Sequence, residues 1–455
     1  YYAQYLYGRN YKVVSPRAEA LGEALCVLWD IADREKQKQI VAKTPVTDFG
    51  ITCIFPQIPN IPPYHNNAVW PFVQSFWLRA AARAGNESSV LKSIGDIYRP
   101  AAMFLTNKEN FVAQNGDYNG TQINSSNMLW SLSGNISIIH KIIFGIRFNP
   151  EGLAFEPFVP KAMAGKRNLS NFKYRNAIFN FVMEGYGNKI ASISLDGTKL
   201  TQASIPATLK GIHTIRIRLA DNSTGSGVIN EQPVYFSPET PATQLKGNLI
   251  RWLPIKNAIS YIVLKNGTEI GRTRQNTFNI DPTLVAEYQV IAIDSQKKPS
   301  FASEPLLCGA DNLISILQAE ANNPKANYPA RGYLGDGFVE TDKSVNEKIE
   351  MPLEITDSGM YSIDFRYANG NGPTNTDNKC AIRSLKIDSI YKGTIVLPQR
   401  GTNEWSNWGF SNPLKVCLKK GKHVVQLVLE DFDDNMNGKV NQAMIDYMRI
   451  IRIRE

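Results

Sequence analysis

Three short clusters in the first third of the sequence combine hydrogen-bonding side chains with flat rings: Ser15-Pro16-Arg17-Ala18-Glu19, Tyr64-His65-Asn66-Asn67-Ala68-Val69-Trp70 and Gly120-Thr121-Gln122-Ile123-Asn124-Ser125. Each stands at the start of an apolar helical pattern, so if those helices run the same way their first turns converge on one polar, aromatic-lined pit. A pit of that kind suits a sugar, whose apolar face stacks on Trp or Tyr while its hydroxyls bond Asn, Gln, Arg and carboxylates. Arg17, Tyr64, His65, Asn66, Trp70 and Gln122 are therefore the candidate substrate contacts. Each has a plainer reading too: His65 as a scaffold residue, Arg17 as partner of a nearby acid, Trp70 as core. Glu23, one turn beyond Glu19, reads as a structural partner, and Asp48 and Asp117 as solvated loop acids.

The elements that must hold these clusters are helices over residues 1–147. Ser15-Pro16 is a good helix start, because Ser caps free amides and Pro is tolerated at the first helical position. Leu21, Ala24, Leu25 and Leu28 follow on one face. Val69, Phe72, Val73, Phe76, Trp77 and Ala80 form a second stripe that must be buried. Met128, Leu132, Ile136, Ile139 and Ile143 form a third, starting near Asn124-Ser125. More polar helices are predicted at about 34–41 and 87–105. Alternating strong and weak helices imply stacked helical hairpins. Residues 148–225 then read as short strands with an Asp196-Gly197 hairpin turn, and 222–233 as a linker. Residues 234–307 hold another strand series around Trp252, Tyr261 and an Asn266-Gly267 turn, and 312–455 form a third strand-rich block.

Length and composition bound this reading. The chain has 455 residues, 43% hydrophobic and 20% charged, which points to several folded units and excludes wholesale disorder. No apolar run reaches the ~20 residues of a membrane span, and the first residues lack the pattern of a signal peptide. The net charge of +9 is scattered among 41 acidic residues with no basic stripe, which argues against nucleic acid as partner. Five widely spaced cysteines with no CxxC pair argue against a disulfide framework or a zinc knuckle.

Tyr64-His65-Asn66-Asn67-Ala68-Val69-Trp70-Pro71 resembles the YHNG-x-VWP segment of six-hairpin, (α/α)6-barrel glycoside hydrolases, the group that includes glucoamylase. Gly120-x-Gln122 followed by Trp130-Ser131 resembles the last-hairpin loop of the same enzymes. The resemblance covers about residues 1–220 and implies the C-terminal part of such a barrel, followed by a β-sheet domain packed on it. In the glucoamylase pattern the residue between Gly and Gln is the general base, and here Thr121 stands there, unable to accept a proton from water at neutral pH. Glu19 becomes the candidate catalytic carboxylate, its plainer reading being a first-turn acid at the positive end of a helix. Only about five of twelve helices are countable. The resemblance therefore implies that the missing N-terminal half of the barrel, with the general acid, is a separate segment or one outside this sequence that packs against residues 1–147.

Residues 234–307 resemble a fibronectin-III or Ig-like sandwich, read as a spacer. Residues 312–455 resemble a carbohydrate-binding module of the family 6 and 35 type, on Leu317-Gln318-Ala319-Glu320-Ala321, Gly335-Asp336-Gly337-Phe338-Val339, Tyr361 to Gly370, Trp405-Ser406-Asn407-Trp408 and Ile445-Asp446-Tyr447. That likeness implies a structural Ca²⁺ held by Gln318, Glu320 and Asp446, with no cofactor needed for catalysis. It also implies a sugar site in the loops at one end, formed by Tyr333, Asn369, Trp405, Trp408 and Asn441. The acidic run 430–435 reads as a solvated loop, or as a second calcium site.

The fold class expected is thus multidomain α + β: part of an (α/α)6 helical barrel, a β-sheet domain, a fibronectin-III/Ig-like sandwich and a β-sandwich carbohydrate-binding module. The function expected is an inverting glycoside hydrolase acting on a polysaccharide or oligosaccharide, secreted, periplasmic or at the cell surface. A phosphorylase on the same barrel and a non-catalytic glycan-binding protein are the alternatives.

Overall fold

The structure, a computed structural model, describes residues 2–225, 227–281, 285–309, 314–373 and 377–453. Residues 1, 282–284, 312, 313, 374–376, 454 and 455 of the expected domains, and residue 226 of the expected linker, lie outside the described residues. The chain divides into two compact units. Unit 1 comprises Tyr1–Tyr5, Val14–Glu239 and Asp294–Ser300; unit 2 comprises Leu6–Val13, Thr240–Ile293 and Phe301–Glu455.

Unit 1 contains the helices α1 (Ala20–Leu28), α2 (Arg34–Lys43), α3 (Pro71–Ala84), α4 (Glu87–Phe104) and α5 (Leu129–Ser137). α3 forms where the sequence places its stripe: Pro71 occupies its first turn, and Gly85 ends it in the left-handed conformation (φ 77°) that a residue without Cβ adopts without strain. Val73, Trp77, Leu78, Ala80 and Ala81 are buried, and α3 packs against α1, α2, α4 and α5. α1 begins later than expected. Ala18–Glu19 forms a strand paired with Ile54–Phe55, so Glu19 and not Ser15 caps the helix.

The helical barrel expected from the resemblance is absent. Among the described residues strands account for 40% and helix for 16%, with five α-helices. The physical reason lies in where the apolar faces go. One continuous core runs from Ala24 and Trp77 into Phe155, Phe179, Phe181 and Ile215, so the helices share their buried side with sheets and do not close a ring. The third stripe departs as well. Leu132 (40%) and Ile136 (46%) are already exposed on α5, and the chain then enters a π-helix, Ile138–Ile143, whose wider turn leaves Ile138, Ile142 and Ile143 buried and Ile139 (36%) exposed.

The strands of unit 1 form a five-stranded sheet in the order Lys166–Tyr174, Ala177–Glu184, Gly211–Leu219, Ile190–Leu195, Thr198–Lys199. Ala177, Phe179, Phe181 and Met183 alternate inward along the second of these. Asp196 and Gly197 both take positive φ in the tight turn joining Leu195 to Thr198.

In unit 2, Thr243–Lys246, Leu249–Trp252 and Thr277–Asn279 form one sheet. Thr268–Thr273, Ala258–Lys265, Ala286–Asp294 and Leu306–Cys308 form another, and Ile250, Trp252, Tyr261, Val263 and Tyr288 fill one core. The described residues between 314 and 453 form an antiparallel β-sandwich. Its larger sheet is centred on Ala443–Ile453, which pairs with Ile314–Gln318, Val339–Thr341 and Gly359–Ala368. The smaller runs Lys348–Ile355, Gly421–Val428, Ala381–Ile387, Ile390–Leu397. Ile363, Phe365, Leu385, Ile395, Leu427 and Ile445 lie between the two.

Candidate functional site

Backbone pairing gathers the three sequence clusters of unit 1 along one edge. Ala18–Glu19 pairs with Ile54–Phe55, Thr52 bridges Val69, and Ala68–Val69 pairs with Phe111–Val112. Gln122 N donates to Pro63 O at 2.7 Å. On this edge lies a run of rings. The His65 imidazole stacks on Trp70 (4.9 Å between centroids, 17°) and lies 4.6 Å from Tyr64, and Trp70 lies 6.0 Å from Trp130. Phe72 stacks on Trp130 at 5.7 Å. His65 and Trp130 are exposed, so the run presents a ledge to solvent, whereas Trp70 is buried and holds its indole by donating to Tyr64 O at 2.7 Å.

One carboxylate joins this ledge. Glu109, 6% exposed, accepts from the Tyr64 hydroxyl at 3.3 Å and from Ser125 N at 3.2 Å. Burial, and then the Glu109 charge, pushes the Tyr64 phenol up. Sequence reading missed both Glu109 and Trp130 as site residues. No local pattern marks Glu109, and only the pairing of the strand just after it, Phe111–Val112, with Ala68–Val69 reveals its place.

The other expected residues sit as follows. Glu19 spends both oxygens on the first turn of α1, accepting from Leu21 N (3.1 Å) and Gly22 N (2.6 Å). Arg17 is buried, donating to Pro56 O and Ser237 Oγ, and Asn66 is buried, bonding Ile58 N, Ile58 O and Ile61 O. Asn66 holds backbone and Arg17 ties a backbone carbonyl to the Ser237 hydroxyl, both inside the fold. Gln122 is exposed. Thr121 donates to Tyr118 O. Glu23, read as a structural partner, is buried and accepts from Tyr2 N at 2.6 Å, and burial raises its carboxyl to about 7.

In the sandwich 314–453, Tyr328, Tyr333, Trp405 and Trp408 collect around Phe338. Tyr328 and Tyr333 are exposed; the Trp405 ring lies 5.6 Å from Tyr328 and against Gly370, and Trp408 is tied to Arg331 O at 2.7 Å. Asn369 and Asn441 are fully buried. Asn369 bonds Lys379 O, Leu397 O and Asn371 N, and Asn441 bonds Ile382 N, Arg383 and Asp433 O. They brace the loops and do not face solvent.

Beneath these loops lie Gln318, Glu320 and Asp446. Gln318 Oε1 and Glu320 Oε2 are buried with no hydrogen-bond partner, and both side chains border Gly335. Asp446 accepts from Leu334 N with both oxygens (3.1 and 3.2 Å) and pairs with Arg366; burial raises its carboxyl, and nearby Glu320 adds to the rise. Among the described residues no group of three or more His, Cys, Asp or Glu is placed to hold a metal. The expected set has two acids and one amide, and its orphaned oxygens are of the kind a hard cation accepts.

Comparison with known proteins adds a further finding. A stretch of 123 residues is 30% identical to a cycloisomaltooligosaccharide glucanotransferase of Niallia circulans, spanning 27% of this chain and 12% of that enzyme. A stretch of 96 residues is 29% identical to endo-1,4-beta-xylanase B of Cellvibrio japonicus, spanning 21% of this chain and 15% of the relative. Among solved structures, a family 35 carbohydrate-binding module from Cellvibrio japonicus is 25% identical, with 30% of this chain and 92% of that one covered and a TM-score of 0.23. One from Clostridium thermocellum is 23% identical, with 31% and 98% covered and a TM-score of 0.24. The stretch compared in these two structures is thus similar to family 35 carbohydrate-binding modules over about 30% of this chain. The curated relatives are glycoside hydrolases or transferases, and the chain covers only a small part of each. No family model matches. No helix among the described residues is long and apolar enough to cross a membrane.

Proposed function

We propose that this protein hydrolyses glycosidic bonds of a polysaccharide or oligosaccharide, with the ledge of unit 1 holding sugar at the reacting bond and the 314–453 sandwich keeping the protein on its substrate. The matched stretch of the hydrolases and transferases is assigned to that sandwich, whose length it approaches. The observation that carries the hydrolytic reading is the ring ledge of His65 and Trp130, backed by the buried Trp70, with a buried carboxylate, Glu109, bonded to the Tyr64 hydroxyl beside it. Rings of this kind stack on a pyranose, and a carboxylate beside them can activate water. An inverting reaction needs a second carboxyl group about 6.5–9.5 Å from the first, and Glu19 is the carboxylate that the sequence offers on this edge. Glu109 replaces it as the candidate base, because the Glu109 carboxylate meets the Tyr64 hydroxyl at the ring ledge, whereas the Glu19 carboxylate is turned to the first turn of α1.

The test is reducing-sugar release by the chain on dextran, isomaltooligosaccharides and xylan. Glu109→Gln is expected to lower turnover at least a hundredfold, in the range general-base removal costs, while Glu19→Gln costs stability more than rate. Unchanged turnover in Glu109→Gln refutes the assignment. Thr121 and the occupied Glu19 oxygens favour a second reading, in which unit 1 binds glycan without cleaving it; binding with no product on any of these substrates selects that reading. In the sandwich, Tyr333, Trp405 and Trp408 form the proposed sugar platform, and Gln318, Glu320 and Asp446 hold a structural Ca²⁺ beneath it. Such a protein works where polysaccharide is met, outside the cell or at its surface.

A further inference from the structure

We propose that unit 1 carries a second, separate site, which binds a phosphate or sulfate group in the cavity between the C-terminal end of α3 and the strands that follow the π-helix. The cavity measures about 580 Å³, within the usual range for ligand sites. Five cationic side chains line it, Arg34, Arg79, Arg83, Lys141 and Arg147, against one acid, Glu156. They come from distant parts of the sequence, so the charge is invisible until the chain folds.

The charges do not balance. Glu156 is taken by Arg147 at 2.9 Å, and Arg83 pairs with Asp30, which Arg34 reaches only through space; among the described residues this leaves Arg79 and Lys141 with no acidic partner. Lys141 donates to Ile146 O, and Arg34 reaches only Gln37 Oε1 and Arg83 O at 3.4 Å. Arg79 is the most exacting case: its side chain forms no hydrogen bond or ion pair among the described residues, its guanidinium lies 5.7 Å from the Phe76 ring, and its Nε is buried. Burial holds its guanidinium below the ordinary value, and Arg147 adds to this; Lys141 is lowered by burial and then by Arg79 and Arg147. A buried cation without a counter-charge is costly, and an arginine fork matches the oxygens of a tetrahedral oxyanion. An anion here would satisfy Arg79 and quench the repulsion among its neighbours. The cavity is larger than a bare ion, and Phe155 and Phe158 give it an apolar wall, as a sugar bearing the anionic group would need.

The experiment is calorimetric titration of the full chain with sodium sulfate, sodium phosphate, a sulfated disaccharide and its unsulfated parent, at matched ionic strength in chloride. One saturable site for an anion is expected, weakened at least tenfold in Arg79→Gln. Thermal unfolding gives a second reading: sulfate raises the midpoint of the wild type and not that of the variant. If Arg79→Gln fails to fold, Arg34→Gln, at an exposed position, takes its place. Tenfold tighter binding of the sulfated sugar than of free sulfate assigns the group to a saccharide, and equal binding assigns a free ion. No saturable binding of any of the three anions, or equal binding by wild type and variant, overturns the proposal.

Discussion

Gly370 offers a way to move a proposed sugar-binding ring without touching it. A Cβ built on Gly370 would lie 2.7 Å from Trp405 Nε1 and 2.8 Å from Cδ1 and Cδ2, closer than any real methyl approaches an indole. The Gly370 backbone is not in the left-handed region, so alanine is conformationally acceptable and the penalty falls on the ring. Overpacking of this kind costs about 1–3 kcal/mol, which the chain can avoid by swinging Trp405 away from Tyr328. Gly370→Ala is therefore expected to lower the unfolding free energy measured in urea by an amount in that range, and to weaken polysaccharide binding, measured by affinity electrophoresis, to the level of Trp405→Ala. The double variant closes the cycle. With the indole gone the three nearest contacts of the added methyl are gone too, so Gly370→Ala in a Trp405→Ala background should cost less than about 0.5 kcal/mol and leave binding where Trp405→Ala set it. Reduced stability with undiminished binding in Gly370→Ala would refute the role of Trp405 as platform. An equal stability cost in both backgrounds would refute the packing argument itself.

Removal of divalent ions by a chelator should lower the thermal midpoint of the wild type, with recovery on adding Ca²⁺; Glu320→Gln should abolish this response, and a wild type indifferent to chelation counts against the site. Glu23 gives a pH signature. Its folded carboxyl titrates at about 7, above the ordinary value of 4.5, so the folded state binds the proton more tightly and stability falls as pH rises between those values. Glu23→Gln keeps an acceptor for Tyr2 N and should flatten that fall, as followed by urea unfolding at pH 5 and pH 8; the same slope in both proteins would place the titration elsewhere.

Local pattern was enough for some elements. The stripe from Phe72 to Ala80 specifies α3 because few residues around that helix are left polar, and the Asp196-Gly197 and Asn266-Gly267 turns follow from residues that tolerate positive φ. The barrel failed because a helical period says which face is apolar and not what covers it, and here sheets do so. Asn66, Asn369 and Asn441 looked like sugar ligands for a related reason. A short amide satisfies a loop's backbone groups as readily as it satisfies a hydroxyl, and only burial distinguishes the two uses. Arg17 was deceptive in the same way. Glu109 and the cationic cavity depend on residues brought together from far apart, which no window of sequence displays.

The strand Ala443–Ile453 pairs with three strands that all precede it, the first more than a hundred residues earlier. During synthesis, then, the wider sheet of this sandwich waits for its keystone while Ile363 and Phe365 have no partner to hide behind. Pairings so remote in sequence make for slow assembly, and the half-built sheet leaves an open edge at which neighbouring nascent copies can join. Yield of the folded protein should therefore depend on chaperone supply and translation rate more than on the stability of the finished sandwich.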